Sequence, residues 1–91
     1  MTTQSEVSEI IDIFSKKFSK NFLKESDATC TTVAWIRTNY QLQVQIKGNG
    51  HAAIFMENTL EEKYYYDTDI AIKDIESSTK LWEFIETLTM E

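Results

Sequence analysis

The sequence predicts an α+β fold, a two-layer sandwich in which an N-terminal helix, an antiparallel meander of three to four strands and a C-terminal helix follow one another. Three observations lead there. Apolar residues recur at helical spacing early in the chain, at alternate positions through its middle, and at helical spacing again near its end. The 91 residues have room for one domain, residues 1–91, and a 42% hydrophobic content is enough to assemble one core. Proline is absent, and no repeat or Gly/Ser linker interrupts the chain.

The first helix is read from Val7, Ile10, Ile11, Phe14, Phe18 and Phe22, which form one apolar stripe, with Ser8, Asp12, Lys16 and Lys20 facing away. Glu6, Glu9 and Asp12 precede Lys16, Lys17, Lys20 and Lys24, an order that complements the helix macrodipole. Ser5 is the candidate N-cap.

From Thr29 to Glu57 the period becomes two. Tyr40, Leu42, Val44 and Ile46 alternate with Gln41, Gln43, Gln45 and Lys47, the pattern of a half-buried strand. Thr38-Asn39 as the preceding turn pairs Trp35 with Leu42 and Val33 with Val44. Asn49-Gly50 suits a two-residue type I′ turn, which pairs Gly48 with His51, Ile46 with Ala53 and Val44 with Phe55. One face then holds Val33, Trp35, Leu42, Val44, Ile46, Ala53 and Phe55, under both helices. The other holds Thr32, Ala34, Ile36, Gln41, Gln43, Gln45, Ala52, Ile54 and Met56. Its centre is uncharged, so cover by a subunit, a partner or the chain's own C-terminal part is expected. After an acidic loop, Glu57 to Glu62, the run Lys63-Tyr64-Tyr65-Tyr66-Asp67 suits a fourth strand, with Ile70 and Ile72 an extension of it or a fifth. Ser77 or Ser78 caps a last helix with Leu81, Trp82, Ile85 and Leu88 inward and Glu83 and Glu86 outward.

Charge divides the chain unevenly. The net value is −6, and residues 57–91 carry ten acids against three lysines while the remainder is close to neutral. A field of that sign disfavours direct contact with nucleic acid or anionic membrane and favours basic protein surfaces. Neither a signal peptide nor a membrane-spanning run is visible, and the one cysteine, Cys30, forms no intramolecular disulfide, so a reducing cytoplasmic setting is expected.

Catalytic chemistry finds few of its usual parts. Cys30 and the one histidine, His51, cannot build a zinc site within one chain, and they come to the same end of the sheet as a nucleophile and base only if Cys30 pairs opposite Lys47, against a structural cysteine and an exposed histidine. Asp67-Thr68-Asp69 opens like a calcium loop but lacks the glycine and the closing glutamate. Gly48 and Gly50 make no phosphate-cradling loop. The expectation is a non-enzymatic protein without metal or cofactor. Its candidate partner-binding residues are Glu57, Glu61, Glu62, Tyr64, Tyr66, Asp67, Asp69, Asp74 and Glu76, carboxylates that surround tyrosines.

In size, acidity and helix-strands-helix order the chain looks like the small inhibitors that phages encode against host defence nucleases, the anti-CRISPR and anti-restriction proteins. The likeness implies a viral protein in the host cytoplasm, a DNA mimic that occupies the basic surface of a nuclease or nucleoprotein complex. Same-face acids on a strand repeat every ~6–7 Å, whereas duplex DNA presents a charge every ~1.7 Å, so blocking a short pocket is feasible and imitating a long duplex is not. An immunity protein or antitoxin covering a basic toxin, and an adaptor module that forms a homodimer through the uncharged sheet face, are the alternatives.

Overall fold

The computed structural model describes residues 3–18, 20–27 and 30–89. Helix α1 (Thr3–Lys17) is followed by strands β1 (Leu23–Ser26), β2 (Thr31–Ile36), β3 (Tyr40–Ile46), β4 (His51–Asn58) and β5 (Lys63–Ala71), a 3-10 turn (Ile72–Asp74) and helix α2 (Thr79–Thr89). The strands form one antiparallel sheet in the order β1-β2-β3-β4-β5, a meander of five strands. The α+β order of helix, meander and helix is as the sequence predicts, with one more strand.

That extra strand comes from the end of the expected first helix. The helix stops at Lys17, and Leu23–Ser26 pairs with β2. Every residue of β1 is exposed, and Leu-Lys-Glu-Ser has little strand propensity of its own, so pairing with β2 supplies the conformation. Phe22 leaves the helical stripe but stays near the core, its ring 5.9 Å from that of Trp35. Ser5 lies inside α1, and the buried face of the helix is Val7, Ile10, Ile13 and Phe14, with Ile11 only half-buried. Thr29, the expected start of the β region, lies outside the described residues.

The turn at Thr38-Asn39 is as expected. Arg37 N–H donates to the Tyr40 carbonyl at 2.8 Å, and Val33 faces Val44 and Trp35 faces Leu42. The next hairpin differs by one residue. Gly48, Asn49 and Gly50 together form its loop, with both glycines at a φ of +84°, and Lys47 pairs with His51. Val44 therefore faces Ile54, not Phe55, and Ile46 faces Ala52, not Ala53. A slip of one residue moves a strand's whole apolar set to the other side. Ala52, Ile54 and Met56 are buried in the core, whereas Ala53 and Phe55 occupy the opposite face.

Glu57 and Asn58 end β4, and only the following four residues form the acidic connection to β5. Along β5 the register shifts between Ala52 and Ile54, so that Ala53 opposes two residues, Thr68 and Asp69. This bulge returns Ile70 to the buried side opposite Ala52, so the second half of β5 is the extension expected from Ile70, while Ile72 enters the 3-10 turn.

Both helices pack on the Val33, Trp35, Leu42, Val44 face, in two layers. Phe14 joins them, its ring centroid 5.4 Å from Trp35 in the sheet and 5.3 Å from Trp82 in α2. Trp82 satisfies its indole N–H on the Ile75 carbonyl at 2.8 Å, and Lys17 Nζ lies 5.0 Å from the same ring. Leu81, Ile85 and Leu88 are buried while Glu83 and Glu86 are exposed. Ser78 stands just before α2, and its carbonyl accepts from Trp82 N–H at 3.2 Å. Among the described residues no helix is long and apolar enough to cross a membrane.

Candidate functional site

With both helices on one side, no helix or strand among the described residues covers the other side of the sheet, its open face. The strand registers lay its side chains out in rows. Leu23, Ala34, Gln43, Phe55 and Tyr66 form one row across all five strands; Glu25, Thr32, Gln45 and Ala53 form a second; Ile36, Gln41, Glu57 and Tyr64 form a third. The centre is amides and small residues, and the two flanks are apolar or aromatic. Leu23 and Ile36 are 63% and 49% exposed on one flank, and Tyr64 and Tyr66 are 51% and 62% exposed on the other.

The aromatic flank is organised. Tyr64 and Tyr66, on the same side of β5, stack with ring centroids 6.1 Å apart and planes 8° from parallel. Phe55 meets Tyr66 edge-on at 6.0 Å. Two carboxylates, Glu25 and Glu57, are the charges in these rows, and Glu57 Oε1 accepts from Gln41 Nε2 at 2.9 Å. Phe55 belongs to this surface and was expected in the core. The pair of glycines around Asn49 is the signal for it, since a three-residue loop turns Phe55 outward.

The nine candidate residues are not gathered on one side. Glu57, Tyr64 and Tyr66 share the open face. Asp67 faces Ile54 across the strands and so points to the helix side, half-buried. Glu61 and Glu62 form the turn before β5, where Glu61 N–H donates to Asn58 Oδ1 at 3.1 Å and Glu62 adopts a φ of 55°. Glu61 also pairs with Lys63 at 3.1 Å. Asp69 lies in the bulge, with its Oδ1 2.8 Å from His51 Nδ1, close but not aligned as a well-formed hydrogen bond. Asp74 and Glu76 are exposed around the 3-10 turn. The acids thus surround β5 on its two sides and both ends, while the tyrosines mark the open side.

Tyr65 points the other way, against Phe84 of α2 with ring centroids 6.0 Å apart. Burial raises its pKa above the ordinary 10.0, the Asp67 charge raises it further, and a hydrogen bond with Ser78 partly offsets both.

Cys30 and His51 do not meet. β3 runs between β2 and β4, so the two are separated by two strand spacings, about 9–10 Å. Cys30, just before β2, donates its N–H to Asp27 Oδ1 at 2.9 Å. Asp67 and Asp69 are tied to each other through the Asp69 N–H, 3.2 Å from Asp67 Oδ1, in a strand and not in a cation-binding loop. Among the described residues no three His, Cys, Asp or Glu side chains group closely enough to hold a metal ion. A shallow pocket of about 320 Å³ opens at the sheet end beside Arg37, Tyr40, Asn58 and Leu60. Compared with known proteins, the chain matches no family model, no curated protein and no solved structure.

Proposed function

We propose that the protein is a non-enzymatic binding protein that covers a basic protein surface, with the open sheet face and the β5 flank as its docking side. The observation that carries the reading is the cluster of half-buried Phe55 with exposed Tyr64 and Tyr66 on a face whose three central rows contain carboxylates and no lysine or arginine, Lys47 lying beyond them at the hairpin end. Aromatic anchors ringed by charge are a common plan for protein interfaces, because the rings supply desolvated area and the rim selects the partner's charge. Glu61, Glu62, Asp67 and Asp69 supply that rim around β5.

A nuclease or nucleoprotein complex of a host defence system is the partner class that best fits the acidity, with the protein acting as a phage-type inhibitor in the host cytoplasm. Carboxylates there would occupy lysines and arginines that otherwise hold phosphates. An immunity protein or antitoxin would use the same surface against a basic toxin, and the identity of the captured partner separates the two.

The test is direct. Native partner is captured from the host, and its affinity is compared for the wild type and for a variant with Glu61, Glu62, Asp67 and Asp69 changed together to their amides. Affinity should fall at least about tenfold and lose much of its dependence on salt. Unchanged affinity would sink the charge-based mechanism.

A further inference from the structure

β5 is the last strand of the sheet, so its outer edge offers backbone N–H and C=O groups that β4 does not use. Proteins usually blunt such an edge with proline, a very short strand, a bulge or charges of one sign. At the opposite edge, β1 is short, four residues long. β5 is nine residues long, and its bulge comes only after Asp67. Five residues, Lys63-Tyr64-Tyr65-Tyr66-Asp67, are therefore left as a regular open edge. The run has defined ends. Glu62, at a φ of 55°, leaves extended backbone on one side, and on the other the Thr68 carbonyl already accepts from Lys47 Nζ at 2.9 Å.

The order of side chains in this run is complementary to itself. In an antiparallel pairing centred on Tyr65, Lys63 lies opposite the Asp67 of a second copy, Tyr64 opposite its Tyr66, and Tyr65 opposite its Tyr65. All of these pairs respect the faces, because Tyr64 and Tyr66 share the open side while Lys63, Tyr65 and Asp67 share the other. Opposite charges and aromatic pairs at directly facing positions are the combinations that stabilise an antiparallel ladder. Glu61 is the present partner of Lys63, and an exposed pair of that kind holds a lysine only weakly, so Lys63 is available for exchange.

We infer that the protein self-associates through β5, two copies pairing antiparallel about a twofold axis at Tyr65 to give one continuous ten-stranded sheet. The occupant is a second copy because the charges and rings along the run complement its own reverse. The twofold axis stands perpendicular to the sheet, so the two open faces lie side by side and four tyrosines, Tyr64 and Tyr66 of each copy, meet at the centre. The inference goes beyond the proposed partner binding and does not depend on it. An edge contact of five residues a side is smaller than a standard interface, so the dimer is expected in the micromolar range or weaker.

Sedimentation equilibrium of the full chain, from micromolar to millimolar concentration, tests it without any partner. The wild type is expected to convert from monomer to dimer as concentration rises. Lys63→Asp and Asp67→Lys should each weaken the dimer at least about tenfold, since each places like charges opposite each other twice. Mixing the two single variants restores opposite charges at every position, and the mixture should dimerise within about threefold of the wild type. Recovery requires both variants to be folded, so it separates lost pairing from lost fold. A wild type that stays monomeric throughout would overturn the inference. So would single variants that dimerise as well as the wild type, or a mixture of variants, folded by circular dichroism, that does not recover. A dimer abolished by Gln43→Lys on the open face and kept by both β5 variants would also overturn it.

Discussion

Gly50 is held by two parts of the molecule and by its own backbone conformation. Its N–H donates to Glu6 Oε2 of α1 at 3.0 Å, its carbonyl accepts from Ile72 N–H at 2.9 Å, and its φ of +84° lies where a side chain is strained. No atom stands within 4 Å of the position a Cβ would take, so Gly50→Ala should cost about 1–2 kcal/mol through backbone conformation alone, measurable by urea unfolding. Glu6→Ala removes a charge-assisted bond to the same turn and should cost about 1.5–3 kcal/mol. Phe14→Ala, which empties the junction between Trp35 and Trp82, should cost about 3–5 kcal/mol. Tyr65 gives the molecule an alkaline limit. Its folded pKa is raised, chiefly by burial, so the unfolded chain loses this proton first. Stability from the neutral phenol is complete below pH 10.0 and is lost as pH rises through the raised value. Unfolding midpoints followed across that window should fall less for Tyr65→Phe than for the wild type. The apolar stripe of α1 and the role of Phe14 are legible in the sequence, whereas Glu6 reads only as a charge on a helix because its partner is 44 residues away.

One residue of loop length decides which side of β4 is buried. Asn49-Gly50 alone satisfies a two-residue turn, but Gly48 joins Gly50 at positive φ to make a three-residue loop, and the longer loop puts Ile54 and Met56 into the core. Alternation along the strand cannot choose between the two, because Ala52-Ala53-Ile54-Phe55-Met56 is apolar on both sides. The difference is testable by a matched pair of substitutions. Ile54→Lys should cost more than about 4 kcal/mol and unfold much of the population, since it buries an unpaired charge. Phe55→Lys should cost no more than about 1–2 kcal/mol, the loss of its contact with Tyr66. Strand β1 illustrates the opposite limit: nothing in Leu-Lys-Glu-Ser announces a strand, and only the unpaired edge of β2 makes it one. The hairpin at Thr38-Asn39 and helix α2 needed no such context, because their turn chemistry and apolar period agree.

Across the whole molecule, the arrangement keeps the core to one side of the sheet. Two helices and one sheet face build the core, and the second sheet face is left with a neutral centre, aromatic flank and acidic surround. The uncharged character of that face is legible in Gln41, Gln43 and Gln45, and the acidic bias in residues 57–91. The division of the acids among the turn, the bulge and the helix side of β5 is not, because it depends on register and on the bulge opposite Ala53. The claim that recognition lies on the open side is tested most directly by the affinity of the captured partner for three folded variants, two that add one positive charge and a control that shifts the charge by two. Phe55→Lys and Tyr66→Lys on the open face should each weaken binding at least about tenfold, while Glu9→Lys on exposed α1 should leave it within about twofold. Loss of binding in Glu9→Lys with retention in the other two would place recognition on the helix side and overturn the account.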